Sequence, residues 1–281
     1  MPSHRYVVCD VFTEIPLTGN QLAVFTDARE LPEDLLQPLA REMNFSETVY
    51  VYPPVAERAH VRIRIFTPGV EVPFAGHPTL GTAFVLGGPL QLGEIRIETG
   101  RGVVPVRLER EGAKIVFGRM EQPIPVVSAW EDAARLLAAI GVERSELPIE
   151  VYDNGLQHVF VTLGSEAEVA ALRPDLTRLG LAETSDVNCI AGAGKRWKTR
   201  MFMPAGGVAE DPATGSAAGP LCLHVARHGL VPFGEEIEIT QGVEIQRPSK
   251  LYARVDGSAE RVDRIEVGGS AVVVARGEFR L

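Results

Sequence analysis

Two segments of this chain carry the same arrangement of residues, and it is one suited to holding an anion. His77-Pro78-Thr79-Leu80-Gly81-Thr82-Ala83 and Asp211-Pro212-Ala213-Thr214-Gly215-Ser216-Ala217 both read [H/D]-P-x-x-G-[T/S]-A. Asp is a favoured helix N-cap and proline a favoured first helical residue, so each segment predicts the start of a helix. Gly81, Thr82, Gly215 and Ser216, just inside, leave backbone N–H groups approachable. A helix start carries roughly half a positive charge, which suits a small molecule bearing a carboxylate. Taken singly, either segment also reads as no more than a well-capped helix. The other candidate is Glu47, in Asn44-Phe45-Ser46-Glu47-Thr48. By spacing alone it is an exposed turn glutamate. In the functional reading it is a general acid/base, which needs a pKa raised from ~4.3 toward neutrality; burial against apolar groups such as Phe45 raises it, and nearby helix N-termini oppose that.

The elements that must position these residues repeat along with them. Arg64-Ile65-Phe66-Thr67-Pro68 precedes the first segment and Arg200-Met201-Phe202-Met203-Pro204 the second. The two arginines stand 136 residues apart, and His77 and Asp211 134 apart. Asn20-Gln21-Leu22-Ala23-Val24-Phe25 is echoed by Leu156-Gln157-His158-Val159-Phe160, and Ser46-Glu47-Thr48-Val49 aligns more loosely with Ser185-Asp186-Val187-Asn188. Such an internal repeat predicts two similar halves. Residues 78–87 and 212–226 contain no Asp, Glu, Lys or Arg. A helix without a charged face is buried all round, so each half is expected to be a sheet curled round one central helix. The expectation is an α+β chain with one domain at 1–122, a second at 123–281, a linker at Gln122–Val127, and C-terminal strands able to cross back to the first half. Packed face to face, the halves would point both helix starts into one cleft. Elsewhere the patterns predict an amphipathic helix over Leu31–Met43, shortened or kinked by Pro38. A capping box at Ser128-Ala129-Trp130-Glu131 predicts a helix running to about Ile140.

Composition narrows the function. The 281 residues carry a net charge of −9, which argues against a nucleic-acid surface. Cys9, Cys189 and Cys222 are far apart and form no C-x-x-C, so neither a zinc site nor a disulfide framework is expected. His224 and His228 have chelating spacing on a helix, but no third ligand is evident, and no metal is expected. Ala191-Gly192-Ala193-Gly194-Lys195 fails the phosphate-loop pattern, because position 189 is Cys and position 196 is Arg. The charge-free stretch Val72–Gly93 is broken by Pro73, Pro78 and Pro89 and is no membrane span. The N-terminus enters a strand pattern directly, so a cytoplasmic protein without a signal peptide is expected.

Thr18-Gly19-Asn20, Met43-Asn44-Phe45-Ser46-Glu47-Thr48, Phe74-Ala75-Gly76-His77-Pro78-Thr79-Leu80-Gly81 and Glu210-Asp211-Pro212-Ala213-Thr214-Gly215-Ser216-Ala217 resemble the PhzF-like family of phenazine biosynthesis. Gln241-Gly242 with Arg247-Pro248-Ser249 is similar to its C-terminal signature, so the resemblance spans essentially the whole chain. It implies a fold like that of diaminopimelate epimerase: two pseudo-symmetric halves, each a β-barrel round a helix, with the active site between them. It also implies a homodimer and no metal or organic cofactor. The characterised member isomerises trans-2,3-dihydro-3-hydroxyanthranilate. Carried over, the resemblance makes Glu47 the group that moves a proton between two ring carbons. His77 and Asp211 hydrogen-bond the substrate, Gly215 and Ser216 hold its carboxylate, and Asn20 and Gly76 line the cleft. Related racemases use one thiol in each half at the repeat loops; residues 70–81 and 205–215 contain no Cys, which argues against two-thiol chemistry. The expected function is a cofactor-independent isomerase of a small carboxylated substrate. The alternatives are a one-base epimerase or racemase and a non-catalytic small-molecule binding protein.

Overall fold

A computed structural model describes residues 3–181 and 186–281; Ser185, one member of the loose alignment above, lies outside them. The chain forms two units, residues 1–121 with 268–281, and 122–267. In chain order come β1 (Ser3–Val11), β2 (Asn20–Phe25), α1 (Leu36–Met43), β3 (Glu47–Tyr52), β4 (Val61–Phe66), β5 (Glu71–Val72), α2 (Gly76–Leu90), β6 (Glu94–Thr99), β7 (Gly102–Glu111) and β8 (Lys114–Gln122). Then follow β9 (Val126–Ala129), α3 (Ala133–Ile140), β10 (Glu150–Asp153), β11 (Gln157–Thr162), α4 (Glu166–Ala171), α5 (Leu176–Leu181), β12 (Asp186–Ala193), β13 (Arg196–Met203), β14 (Val208–Asp211) and α6 (Gly215–Arg227). The chain ends with β15 (Glu236–Gln241), β16 (Ser249–Gly257), β17 (Val262–Gly269) and β18 (Ala271–Arg280). Among the described residues no helix is long and apolar enough to cross a membrane.

The repeat seen in the sequence is a repeat of strand pairing. In the first unit β1 and β2 are antiparallel, β2 and β3 parallel, and β3 and β4 antiparallel. Strand β4 then pairs antiparallel with the short β5 and parallel with β6, which turns back into β7. The second unit makes the same moves. Strands β10 and β11 are antiparallel, β11 and β12 parallel, and β12 and β13 antiparallel. Strand β13 pairs antiparallel with β14 and parallel with β15, which turns back into β16.

The shared R-x-F has a physical reason in this scheme. Arg64 on β4 forms a two-pronged bond to Glu71 on β5, at 2.7 Å for each prong, and lies over the Phe66 ring at 5.2 Å. Arg200 on β13 grips Glu210 on β14 at 2.8 and 2.7 Å and lies over Phe202 at 5.1 Å. Each arginine thus ties down the short strand that leads to the buried helix of its own unit. A planar guanidinium that bonds a carboxylate while stacking on a ring is a task lysine cannot perform.

The two charge-free helices are buried as their composition requires. Helix α2 packs against β1, β2, β3, β6, β7 and β18, and α6 against β11 and β16. Every residue of α6 from Gly215 to Ala226 is buried. Small residues permit that approach: a Cβ on Gly81 would sit 2.6 Å from a Leu22 methyl and 2.7 Å from a Val11 methyl.

Several local expectations are corrected. The first helix spans only Leu36–Met43, preceded by a 3₁₀ turn at Glu33–Leu35. Pro38 falls in its first turn, where a missing N–H leaves no bond unmade. Ser128 does not cap a helix, because it lies in β9 opposite Val151 of β10. Helix α3 opens at Ala133, capped by Asp132, whose carboxylate accepts from the Arg135 N–H at 3.1 Å. Gln122 ends β8 and Val126 begins β9, so the linker shrinks to residues 123–125. Gly194-Lys195 is the two-residue turn between β12 and β13, with Gly194 at φ +53°.

Candidate active site

The side chains of the first unit meet at the head of β3. Helix α1 ends on Asn44, which takes the left-handed conformation at φ 52°, and three residues later Glu47 opens β3. Glu47 is 8 % exposed, so the expectation of a solvent-facing turn glutamate fails. His77 and Asn20 are deeper, at 2 % and 1 %. His77 Nδ1 lies 3.2 Å from Asn20 Nδ2 and 3.5 Å from Glu47 Oε2. Its Nε2 has no hydrogen-bond partner among the described residues. Complete burial pushes the His77 pKa down to about 3, against an opposing backbone hydrogen bond with Gln21. The ring is therefore neutral, and its contact with Glu47 is that of a carboxyl beside an uncharged imidazole rather than an ion pair. Asn20 is brought to His77 by the turn before β2. Gly19 holds φ +70° there, and any Cβ would lie 2.5 Å from the Val11 carbonyl oxygen. Gly76 is buried as the first residue of α2, next to His77.

In this unit the helix begins earlier than its His-Pro pair predicts. Helix α2 opens at Gly76 after Ala75, with no side-chain cap, so His77 sits inside the first turn. In the second unit the helix begins later. Asp211 ends β14, and α6 opens at Gly215 after Thr214. Asp211 is therefore not the N-cap. It holds the loop instead: its Oδ2 accepts from the Thr214 hydroxyl at 2.7 Å. The loop is clamped by Gln241, which sequence reading left outside the site. The Gln241 side chain donates to Asp211 O and to Thr214 Oγ1, both at 2.9 Å, and accepts from Thr214 N at 3.0 Å. The Gln241-Gly242 signature is explained by the same loop, since a Cβ on Gly242 would lie 2.5 Å from Pro212 O. Gly215 O accepts from Gln122 Nε2 at 2.7 Å and Ser216 O from Asn154 Nδ2 at 2.8 Å. With those carbonyls held, the peptide units that start α6 are fixed in direction; the Ala217 N–H donates to Thr214 O at 3.1 Å, and those of Gly215 and Ser216 precede any intrahelical acceptor.

A second residue that sequence reading did not assign to the site is Asp186. It opens β12 as Glu47 opens β3, and it stands opposite His158 in the parallel pair where Glu47 stands opposite Leu22. Asp186 Oδ2 lies 3.5 Å from His158 Nδ1, and both residues are buried. Burial, and after it the charge of Asp211, push the Asp186 pKa from 3.8 up to about 8. Burial pushes His158 down to about 3. Between 3.8 and about 8 the folded protein keeps a proton on Asp186 that the unfolded chain has lost. Stability attributable to this group therefore falls as pH rises through that window and levels off above it. Asp186→Asn is expected to remove the slope. Urea unfolding should show the variant more stable than the parent at pH 8, with little difference near pH 4. A stability difference that does not depend on pH would show Asp186 to be ionised in the fold.

The three thiols are unsuited to proton transfer. Cys9, Cys189 and Cys222 are buried and free. Burial pushes Cys189 and Cys222 up to about 12 and Cys9 higher still.

Comparison with known proteins agrees with this architecture. The family described as "Phenazine biosynthesis-like protein" matches residues 9–277. A trans-2,3-dihydro-3-hydroxyanthranilate isomerase of Pseudomonas aeruginosa is 52 % identical over 278 residues, covering 99 % of this chain and all of the relative. Its Pseudomonas fluorescens counterpart is 49 % identical with the same coverage. Among solved structures, a PhzF-family phenazine biosynthesis protein of Bacillus anthracis covers both chains fully, with a TM-score of 0.85 at 26 % identity. A hydroxyproline epimerase of Agrobacterium vitis, with bound trans-4-hydroxy-L-proline, covers 98 % of this chain and 92 % of its own. Its TM-score of 0.65 at 12 % identity is a likeness of fold alone. With full-length kinship to named isomerases added to a repeated fold of mixed sheet and buried helix, the chain belongs to the phenazine biosynthesis-like PhzF family and is an isomerase.

Proposed function

We propose that this isomerase acts on trans-2,3-dihydro-3-hydroxyanthranilate, or a close cyclic carboxylated relative, with Glu47 as its single acid/base and without a cofactor. The observation that carries the reading is the buried Glu47 carboxyl facing a neutral, buried His77. Glu47 removes a proton from one ring carbon, the electron pair shifts along the conjugated system, and the same carboxyl returns a proton to another carbon. Nothing is oxidised or reduced, so the step needs no co-reactant. Neutral His77 and Asp211 hydrogen-bond the substrate's polar groups. The first turn of α6, at Gly215 and Ser216, receives the carboxylate, because helix N–H groups favour an anion. Asn20 and Gly76 complete the lining on the side of Glu47. The proposal includes a homodimer, which light scattering of the purified chain would test. The reaction is tested by incubating the protein with this substrate in deuterated water. One deuteron entering a ring carbon of the product, without added metal or cofactor, is the expected result. Turnover with inversion at a single carbon and no double-bond shift would make the protein a one-base epimerase instead.

A further inference from the structure

The paired histidines at the end of α6, His224 within it and His228 its C-cap, lacked a third partner in the sequence, and the fold supplies one. His224 and His228 are four apart, so their rings project from the same side of the helix tail. Strand β10, held between β9 and β11, brings Glu150 to that side. Glu150 Oε2 lies 3.2 Å from His224 Nδ1 and 2.9 Å from His228 Nε2, and the three atoms are all within 4.8 Å of one another. Ligands at ~2.0–2.1 Å from a tetrahedral zinc stand about 3.3 Å apart; the carboxylate oxygen already stands at about that distance from each ring nitrogen, and the two nitrogens lie within 4.8 Å of each other.

We propose that Glu150, His224 and His228 form a structural site for a zinc-class divalent cation, tying the tail of α6 to β10. The surroundings suit the role. Arg227 Nη1 lies 3.3 Å from Glu150 Oε1, the oxygen turned away from the rings, and the Tyr152 hydroxyl donates to Oε2 at 2.9 Å. Such contacts orient a ligating carboxylate. His224 is fully buried and, by that burial, kept neutral, as a ligand must be. The side chains of His228 and Glu150 are 22 % and 15 % exposed, which gives an ion a route in and a solvent molecule access to the fourth position. Arg227 weakens the site by charge repulsion, so a cation with strong affinity for imidazole is required, and magnesium or calcium is not. His224 stands eight residues along α6 from Ser216, about 12 Å away at the helical rise. The site is therefore distinct from the proposed catalytic end of the helix and does not rest on that reading.

The test uses the untagged full chain, stripped of metal with a chelator and titrated calorimetrically with zinc chloride. One equivalent bound, with release of protons below pH 7 and a rise in melting temperature, is expected. Cobalt(II) in place of zinc should give the intense visible bands of a four-coordinate nitrogen/oxygen site, without a thiolate charge-transfer band. His228→Gln, at the most exposed ligand, should fold with an unchanged melting temperature in chelator and bind zinc at least tenfold more weakly. Glu150→Gln should weaken binding by at least as much. Absence of stoichiometric zinc binding by the parent would overturn the proposal and leave the cluster a hydrogen-bonded network. So would a His228→Gln variant that binds as the parent does, or a six-coordinate cobalt spectrum. Should both variants fail to fold, the cobalt spectrum of the parent decides by itself.

Discussion

Glu47→Gln is expected to lower turnover of the proposed substrate by about 10³–10⁴-fold while changing its dissociation constant by no more than a few-fold. Positioned acid/base groups contribute ~10²–10⁴ to rate, and a sole proton carrier stands at the upper end of that range. The amide matches the carboxyl in size and can still meet His77 Nδ1, 3.5 Å away, so the pocket keeps its shape. What the amide cannot do is accept a proton from carbon. Deuterium incorporation followed by NMR, with calorimetric binding in parallel, separates the two effects. Turnover within tenfold of the parent would remove Glu47 from the chemistry, whatever the substrate. A linked expectation concerns pH. Because burial holds His77 near 3, the rate should show no histidine titration between pH 5 and 8. The His77 ring resonances, followed by NMR in the substrate complex, should not titrate in that range; a shift there would mean that the ring becomes charged when substrate binds.

The largest expected effect on stability is at Arg200. Its side chain is 7 % exposed and that of Glu210 10 %, and it also donates to the carbonyl oxygens of Val169, Ala170 and Leu172. Arg200→Met would leave a buried carboxylate and several acceptors without partners, a change that costs ~3–5 kcal/mol. Arg64 holds the equivalent place in the repeat, but its partners Glu33 and Glu71 are 73 % and 41 % exposed. Water can replace the guanidinium there, so Arg64→Met is expected to cost about 1 kcal/mol or less. Urea denaturation of the two variants measures the difference. Arg200→Met with Glu210→Leu should recover a large part of the loss, since removing both charges leaves neither stranded. Equal costs at the two arginines would show that burial is not what separates them.

The same pair of arginines shows what could be read from the chain alone. R-x-F-x-P was visible as a repeat at a constant offset, and the strand pairing repeats with it. The two charge-free segments announced buried helices, because desolvating a charged side chain is too costly for such a position to hold one. These are local properties, carried by residue type and period. Where a helix begins proved less legible. Asp211-Pro212 has the composition of a cap, yet Gln241, thirty residues further on, holds Thr214 so that α6 starts at Gly215. Ser128 has the right neighbours for a capping box, yet pairing with Val151 draws it into a strand. In both cases a hydrogen bond to a distant residue displaced the local preference.

The sequence by itself thus determined the duplication, the pair of buried helices and the residue types able to hold an anion or carry a proton, since burial cost and periodicity are written in composition. Only the tertiary structure decided that Glu47 is buried beside a neutral His77, that Asp186 is buried beside His158, and that Glu150 reaches His224 and His228. Each of those depends on strand register. A shift of one residue there turns every side chain to the opposite face, and the register is set by the packing of the whole unit rather than by any one segment.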